Sequence, residues 1–260
     1  MPRAAGIGAP GDDGRARGRG GDAVAVDLTG IRLVVFDKDG TLLSFDAMWG
    51  GWARDLGARL EGATRRPVAG DVFAAIGFDP TTGHIAPTAP LAIGTSESIA
   101  DTITAVLRRW CPSVAAARRA VEAAWFMPDP RTLAVPLADL PGLFGRLRSR
   151  GMRIAVVTTD DRTPTLASLE ALAVDSLVDA VVAADDGIPT KPDPAAVREL
   201  AARFGLEPAS IAVVGDTPAD LQMGRAAGAG VVLGVLSGLG TREALAPLAD
   251  ALLDSVAEVA

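Results

Sequence analysis

Val34-Val35-Phe36-Asp37-Lys38-Asp39-Gly40-Thr41-Leu42 is the stretch on which the reading of this chain turns. An apolar, β-branched run stops at two acids one residue apart, followed by Gly-Thr. In a strand, alternate residues share a face. Asp37 and Asp39 are therefore expected to face one spot at the strand's C-terminal end, with Lys38 directed elsewhere. Beyond that end of an open parallel sheet is where ligands bind. Two carboxylates held together repel unless a cation stands between them, and a hard divalent ion is the natural third party. The expected site is acidic, metal-dependent and suited to phosphate.

Outward from this stretch, the downstream chain alternates in type. Apolar runs at Ile154 to Val157, Val178 to Ala183, Ile211 to Val214, Val231 to Val235 and Ala251 to Leu253 read as strands. Between them, Leu140 to Arg150, Thr163 to Leu172, Pro194 to Phe204 and Ala219 to Ala227 carry helical spacing. Gly151 and Gly205 supply stop signals. Alternating βα units predict an α/β fold, a doubly wound parallel sheet with helices on both faces. Residues 45–136 interrupt that rhythm. Met48, Trp49, Trp52, Leu56 and Leu60 fall near helical spacing, as do Ile99, Ile103, Val106 and Leu107, and again Ala117 through Trp125. Phe78 to Thr95, rich in Gly, Pro and Thr, is expected to be mostly loop. The predicted organisation is a disordered leader over 1–29, a core formed by 30–44 and 137–260, and a helical insert over 45–136.

Composition narrows the function classes. A net charge of −7 and an isoelectric point near 4.8 argue against a nucleic-acid or membrane surface. One cysteine, Cys111, allows neither an internal disulfide nor a thiolate metal site and suits a reducing cytoplasm. No apolar run approaches the roughly 18 residues of a membrane span, and no secretory signal is visible. Of the 25 basic residues only two are lysine, Lys38 and Lys191, and both lie within the candidate motifs. A chain that otherwise uses arginine points to these positions as needing a compact charge.

Four strand ends carry polar residues in succession. They are Asp37-x-Asp39-Gly40-Thr41, then Thr158-Thr159-Asp160, then Lys191 before a helix, and last Gly215-Asp216-Thr217-Pro218-Ala219-Asp220. In these motifs and their order the chain resembles the haloacid dehalogenase superfamily, specifically its DxDGT phosphatases with a C1-type helical cap and their phosphoglycolate-phosphatase-like branch. The resemblance covers residues 31–44 and 137–260 and implies a Rossmann-like core with the cap inserted after the first strand. It implies that Asp37 is the nucleophile, forming an aspartyl-phosphate, and that Asp39 is the general acid and base. Thr158, Thr159 and Lys191 would bind the phosphate, Thr158 and Lys191 taking part in catalysis. Asp37, Asp39 (through its backbone carbonyl), Asp216 and Asp220 would hold Mg²⁺, which with Lys191 screens the repulsion between two anions.

Asp39 also bears on reaction class. A leaving alkoxide needs a proton and a leaving halide does not, so phosphate chemistry is favoured over dehalogenation. The insert contains no lysine, which disfavours the phosphonate-cleaving relatives and their Schiff base. Thr159 departs from the family's frequent Asn. The expected enzyme is a Mg²⁺-dependent phosphomonoesterase, cytoplasmic, monomeric or homodimeric. It would act on a small phosphorylated metabolite, with 2-phosphoglycolate foremost and a sugar phosphate or nucleoside monophosphate behind it. The alternatives are a phosphomutase of the same fold and a catalytically silent regulatory or binding protein. Asp220 could instead serve only the helix beginning near Pro218. His84 reads as a surface residue, and Trp49, Trp52, Trp110 and Trp125 as insert core. Asp46, Trp49, Arg54 and Arg59 are candidates for the face of the insert that meets the site.

Overall fold

The computed structural model describes residues 26–260. Most of the expected leader lies outside the described residues. Leu28, within its span, is buried at 2% exposure, so the packed chain begins before residue 30.

Six strands form one parallel sheet: β1 (Leu33–Phe36), β2 (Arg153–Val157), β3 (Ala180–Val182), β4 (Ile211–Gly215), β5 (Val231–Val235) and β6 (Ala251–Leu253), in the order β3-β2-β1-β4-β5-β6. The strands are continuous apolar runs because both faces are covered. Val34 and Phe36 pack into the cluster on one face, with Phe36 5.2 Å from Phe144 between ring centroids. Leu33 and Val35 pack on the other face against Val197, Leu200 and Met223. The chain winds outward from β1 to β3 and then returns to the opposite side of β1 for β4. The crevice beyond β1 and β4 is thus the point where strand order reverses, the usual ligand position in such sheets. Register aligns the strand ends there, since Phe36 lies level with Val156 of β2 and Val214 of β4.

Six helices make up the insert that follows β1: α1 (Phe45–Thr64), α2 (Ala69–Ile76), α3 (Pro90–Ile93), α4 (Ser96–Leu107), α5 (Val114–Ala124) and α6 (Pro130–Leu133). Ser44 caps α1 by accepting the Ala47 N–H, and Thr95 and Ser113 cap α4 and α5 in the same way. Sequence spacing anticipates α1, α4 and α5. It misses α2, which is short, has a glycine in its first turn and has no capping side chain at Val68. Phe78 to Thr95 is mostly turns as expected, but it also holds the four-residue α3. Trp52 edges onto Trp49 (5.3 Å, 85°) and onto Trp125 (5.4 Å, 78°), and its indole N–H donates to the Phe126 carbonyl. This ladder fastens α5 to α1, because T-shaped aromatic pairs add to the gain from burial. The helix α7 (Leu140–Ser149) leads into β2, and α8 (Arg162–Ala171), α9 (Ala195–Phe204), α10 (Pro218–Ala227) and the short α11 (Arg242–Leu245) complete the alternation after it.

Candidate active site

The acidic motif sits where β1 has already ended. The Asp37 N–H still donates to the Val214 carbonyl (2.9 Å), extending the ladder by one residue. Beyond it the chain turns, with Leu42 N–H donating to Lys38 O and Gly40 at φ +90°. Strand alternation therefore no longer governs side-chain direction, and this corrects one expectation. Lys38 does not point elsewhere. It is buried at 1% exposure, 2.5 Å from Asp39 Oδ2 and 3.2 Å from Asp160 Oδ2. The other oxygen of Asp39, Oδ1, accepts the indole N–H of Trp49 from α1 (3.0 Å). Burial alone would lower the Lys38 pKa, but Asp39 and Asp160 outweigh it and raise it.

Asp37 faces a different group. Lys191 Nζ donates to Asp37 Oδ1 (2.5 Å) and to Asp220 Oδ1 (2.6 Å), bridging the first and fourth motifs from a loop before α9. Asp220 Oδ2 accepts from the backbone N–H and hydroxyl of Thr217 (3.0 and 2.6 Å), closing a capping box at the start of α10. Asp220 thus serves the helix and the site together. Asp216, at the end of β4, is fully buried and accepts from the Thr41 hydroxyl (3.0 Å) and the Leu239 N–H (2.8 Å), both neutral donors.

The electrostatics follow from burial and like charge. Burial pushes the Asp37 carboxyl up to about 6 against the pull of Lys191, and nearby Asp220 adds to the rise. Burial also drives Asp216 well above the carboxylate range, with Asp37 and Asp220 adding to it. Lys191 is raised, because Asp220 and Asp37 together overcome the cost of burying its ammonium. Three buried carboxylates at this spacing form a negative centre which one lysine does not fully offset.

The donor set fits a divalent cation. Asp37, Asp216 and Asp220 each offer an oxygen, and these atoms lie within 4.8 Å of one another. Hard oxygen donors at that spacing suit such an ion. The backbone leaves room for Asp216, since a Cβ at Gly40 or Gly238 would overlap its carboxylate. The side chain of Asp39 stands outside the group, engaged by Lys38 and Trp49.

A cleft joins these residues to the insert. Asp37, Asp39, Thr158, Thr159, Asp160 and Lys191 line its floor, and Phe45, Trp49, Trp52, Ile99 and Trp125 are among its upper wall. Thr158 is buried at the end of β2, its hydroxyl accepting the Asp160 N–H (3.1 Å). Of the residues considered for the insert face, Trp49 lines the cleft. Asp46, Arg54 and Arg59 are exposed and off it, the two arginines lying over the rings of Phe78 and Phe126. Trp52 and Trp125 are both insert core and cleft wall, while Trp110 bonds Asp71 away from it. Sequence reasoning gave no role to Thr41, Asp160 or the Leu239 N–H. The rarity of lysine did mark Lys38, and Asp160 stood in a quoted strand end, but the loop supplying Leu239 carries no motif.

The doubly wound sheet thus carries, at its switch point, an anionic centre of buried carboxylates and a lysine with donors suited to a divalent cation. A family model described as haloacid dehalogenase-like hydrolase matches residues 31–228. The chain is 32% identical over 210 residues to a phosphoglycolate phosphatase from Rhodospirillum rubrum, covering 78% of each. It is 34% identical over 82 residues to a pyrophosphatase from Bacillus velezensis, covering 32% of this chain and 38% of that one. In fold it is similar to the crystal structure of a predicted phosphoglycolate phosphatase from Haemophilus somnus, with a TM-score of 0.64 at 19% identity. That match covers 90% of this chain and 98% of the other. The chain belongs to the haloacid dehalogenase-like hydrolase family, and within it to the phosphatase enzymes.

Proposed function

We propose that the protein is a Mg²⁺-dependent phosphomonoesterase of small phosphorylated metabolites that works through an aspartyl-phosphate. The observation that carries this reading is the buried trio Asp37, Asp216 and Asp220, two of them bonded to Lys191, beside a cleft that Asp37 and Lys191 line. Asp37 attacks phosphorus with a carboxylate oxygen, and the ester P–O bond breaks as Asp39 passes a proton to the leaving alkoxide. A water then bonds to phosphorus, gives its proton to Asp39 and releases inorganic phosphate and free Asp37. Lys191 and the Thr158 hydroxyl hold the phosphate oxygens, with Thr159 beside them. Bound Mg²⁺, held by Asp37, Asp216, Asp220 and the Asp39 backbone carbonyl, would supply charge neutralisation between the two anions.

The helices α1 to α6 act as a cap that excludes water and contacts the leaving group. No helix of the described residues is long and apolar enough to cross a membrane. The test is inorganic phosphate release from a panel of metabolite esters, with Mg²⁺ or EDTA. We expect metal-dependent turnover in the native protein and a loss of at least roughly 10³-fold in Asp37→Asn. Turnover that survives either EDTA or the substitution would defeat the mechanism. Phosphate appearing on another carbon of a sugar, with none released, would make the protein a mutase.

A further inference from the structure

The floor and the roof of the cleft differ in kind, and the difference bears on the alcohol that the phosphate esterifies. We infer that the leaving group is small, uncharged and aromatic or bulky aliphatic, and that esters carrying a second negative charge are poor substrates. This rests on the phosphomonoesterase reading of the same site.

The insert presents Trp49, Trp52, Trp125, Leu91, Ile93 and Ile99 to the cleft. Two of the three indole N–H groups are already used, that of Trp49 by Asp39 and that of Trp52 by the Phe126 carbonyl. Ser96 is the one hydroxyl the insert adds to the lining. Among the described residues, no arginine, lysine or histidine of the insert reaches the cleft. Arg54 and Arg59, on α1, turn to the rings of Phe78 and Phe126 instead. Among the described residues the only lining cation is Lys191, which is taken up by Asp37 and Asp220 on the floor and serves the phosphate.

A leaving group extending from phosphorus toward the insert therefore meets aromatic and aliphatic walls. A carboxylate on it would lose its hydration there without a cationic partner. An unpaired buried charge is a strong means of rejection. An uncharged ring has the opposite balance, because burying its faces against indoles is favourable. The 2-phosphoglycolate named by the relatives' activity carries such a carboxylate. By this argument it is a worse ester here than one of similar reactivity with an apolar alcohol.

Benzyl phosphate and 2-phosphoglycolate make the direct comparison, since both leave as alkoxides. With the full chain in Mg²⁺, kcat/KM for benzyl phosphate is expected to exceed that for 2-phosphoglycolate by roughly tenfold or more. Equal values, or the reverse order, would overturn the inference. Ile93 is a suitable place to add a cation, because it lines the cleft yet is 36% exposed. Ile93→Arg is expected to shift the ratio toward 2-phosphoglycolate by about tenfold, and a ratio unmoved by that charge counts against the argument. A calorimetric comparison of benzylphosphonate with phosphonoacetate separates this inference from the reading beneath it, since neither compound is hydrolysed. Should no ester be turned over, the phosphatase mechanism falls. Tighter benzylphosphonate would still support the assignment of the cleft, and tighter phosphonoacetate would overturn it.

Discussion

The sheet edge and the helical insert meet at one cleft but are stabilised in opposite ways. At the edge, Asp37, Asp39, Asp160, Asp216 and Asp220 are gathered with only Lys38 and Lys191 to oppose them. Across the cleft, the insert is tied together by packed indoles whose contacts are largely non-polar. Charge buried at the edge is costly and is kept in place by a rigid parallel sheet that over-determines it. The apolar roof gains by its own burial and needs no such support. Stability and chemistry are thus separated in space: the roof contributes to folding, while the edge draws on that stability.

The largest effect is expected from removing the cation that Asp37 and Asp220 share. Lys191→Met is expected to lower kcat by roughly 10²- to 10³-fold, measured as phosphate release under saturating Mg²⁺, with KM following more weakly. A smaller loss would mean that the metal alone carries the charge. Next comes the bond that crosses between the two regions. Trp49→Phe keeps the aromatic wall but deletes the donor to Asp39, and kcat should fall about tenfold. An unchanged kcat would make that contact a packing detail.

Asp216→Asn sharpens the claim that the edge is strained by its own charges. Without metal, the variant should melt at or above the native temperature, because it removes the buried charge and the repulsion from Asp37 and Asp220 that together raise Asp216. Native protein should melt higher in Mg²⁺ than in EDTA, and the variant should lose that response. A variant that melts lower in EDTA would refute the strain. The smallest effect is expected from an ordinary ion pair distant from this balance. Asp186 accepts from Arg162 Nε (2.7 Å) and from the Ala183 N–H (2.8 Å), and the Arg162 bond holds its carboxyl below the usual range. A depressed folded-state pKa contributes stability above the unfolded value, and that contribution is lost as pH falls through the folded one. Asp186→Asn should therefore cost about 1 kcal/mol at pH 7, since Arg162 is partly exposed. The gap in urea unfolding free energy should close as the solution is acidified past that carboxyl.

Much of this molecule was legible from local pattern. Continuous apolar runs such as Val34 to Phe36 and Ile211 to Val214 announce strands buried on both faces, and the polar residues that stop them mark one edge of the sheet. Helices with caps and clear spacing, such as α1 and α4, were readable, while α2, short and without a capping side chain, was not. The amino-acid order determined which residues could belong to a site, because a parallel sheet brings every strand's C-terminal end to the same side.

Only the tertiary structure decided how those residues pair. Past Phe36 the chain leaves the strand, period-two alternation ends, and Lys38 turns inward to Asp39 and Asp160. Lys191 meets Asp37 across 154 positions of sequence. The Leu239 N–H reaches Asp216 from a loop without a motif, and Arg54 and Arg59 of the insert turn to aromatic rings away from the cleft. Such pairings depend on charge and packing between segments far apart in the chain, and spacing along the sequence carries no record of them.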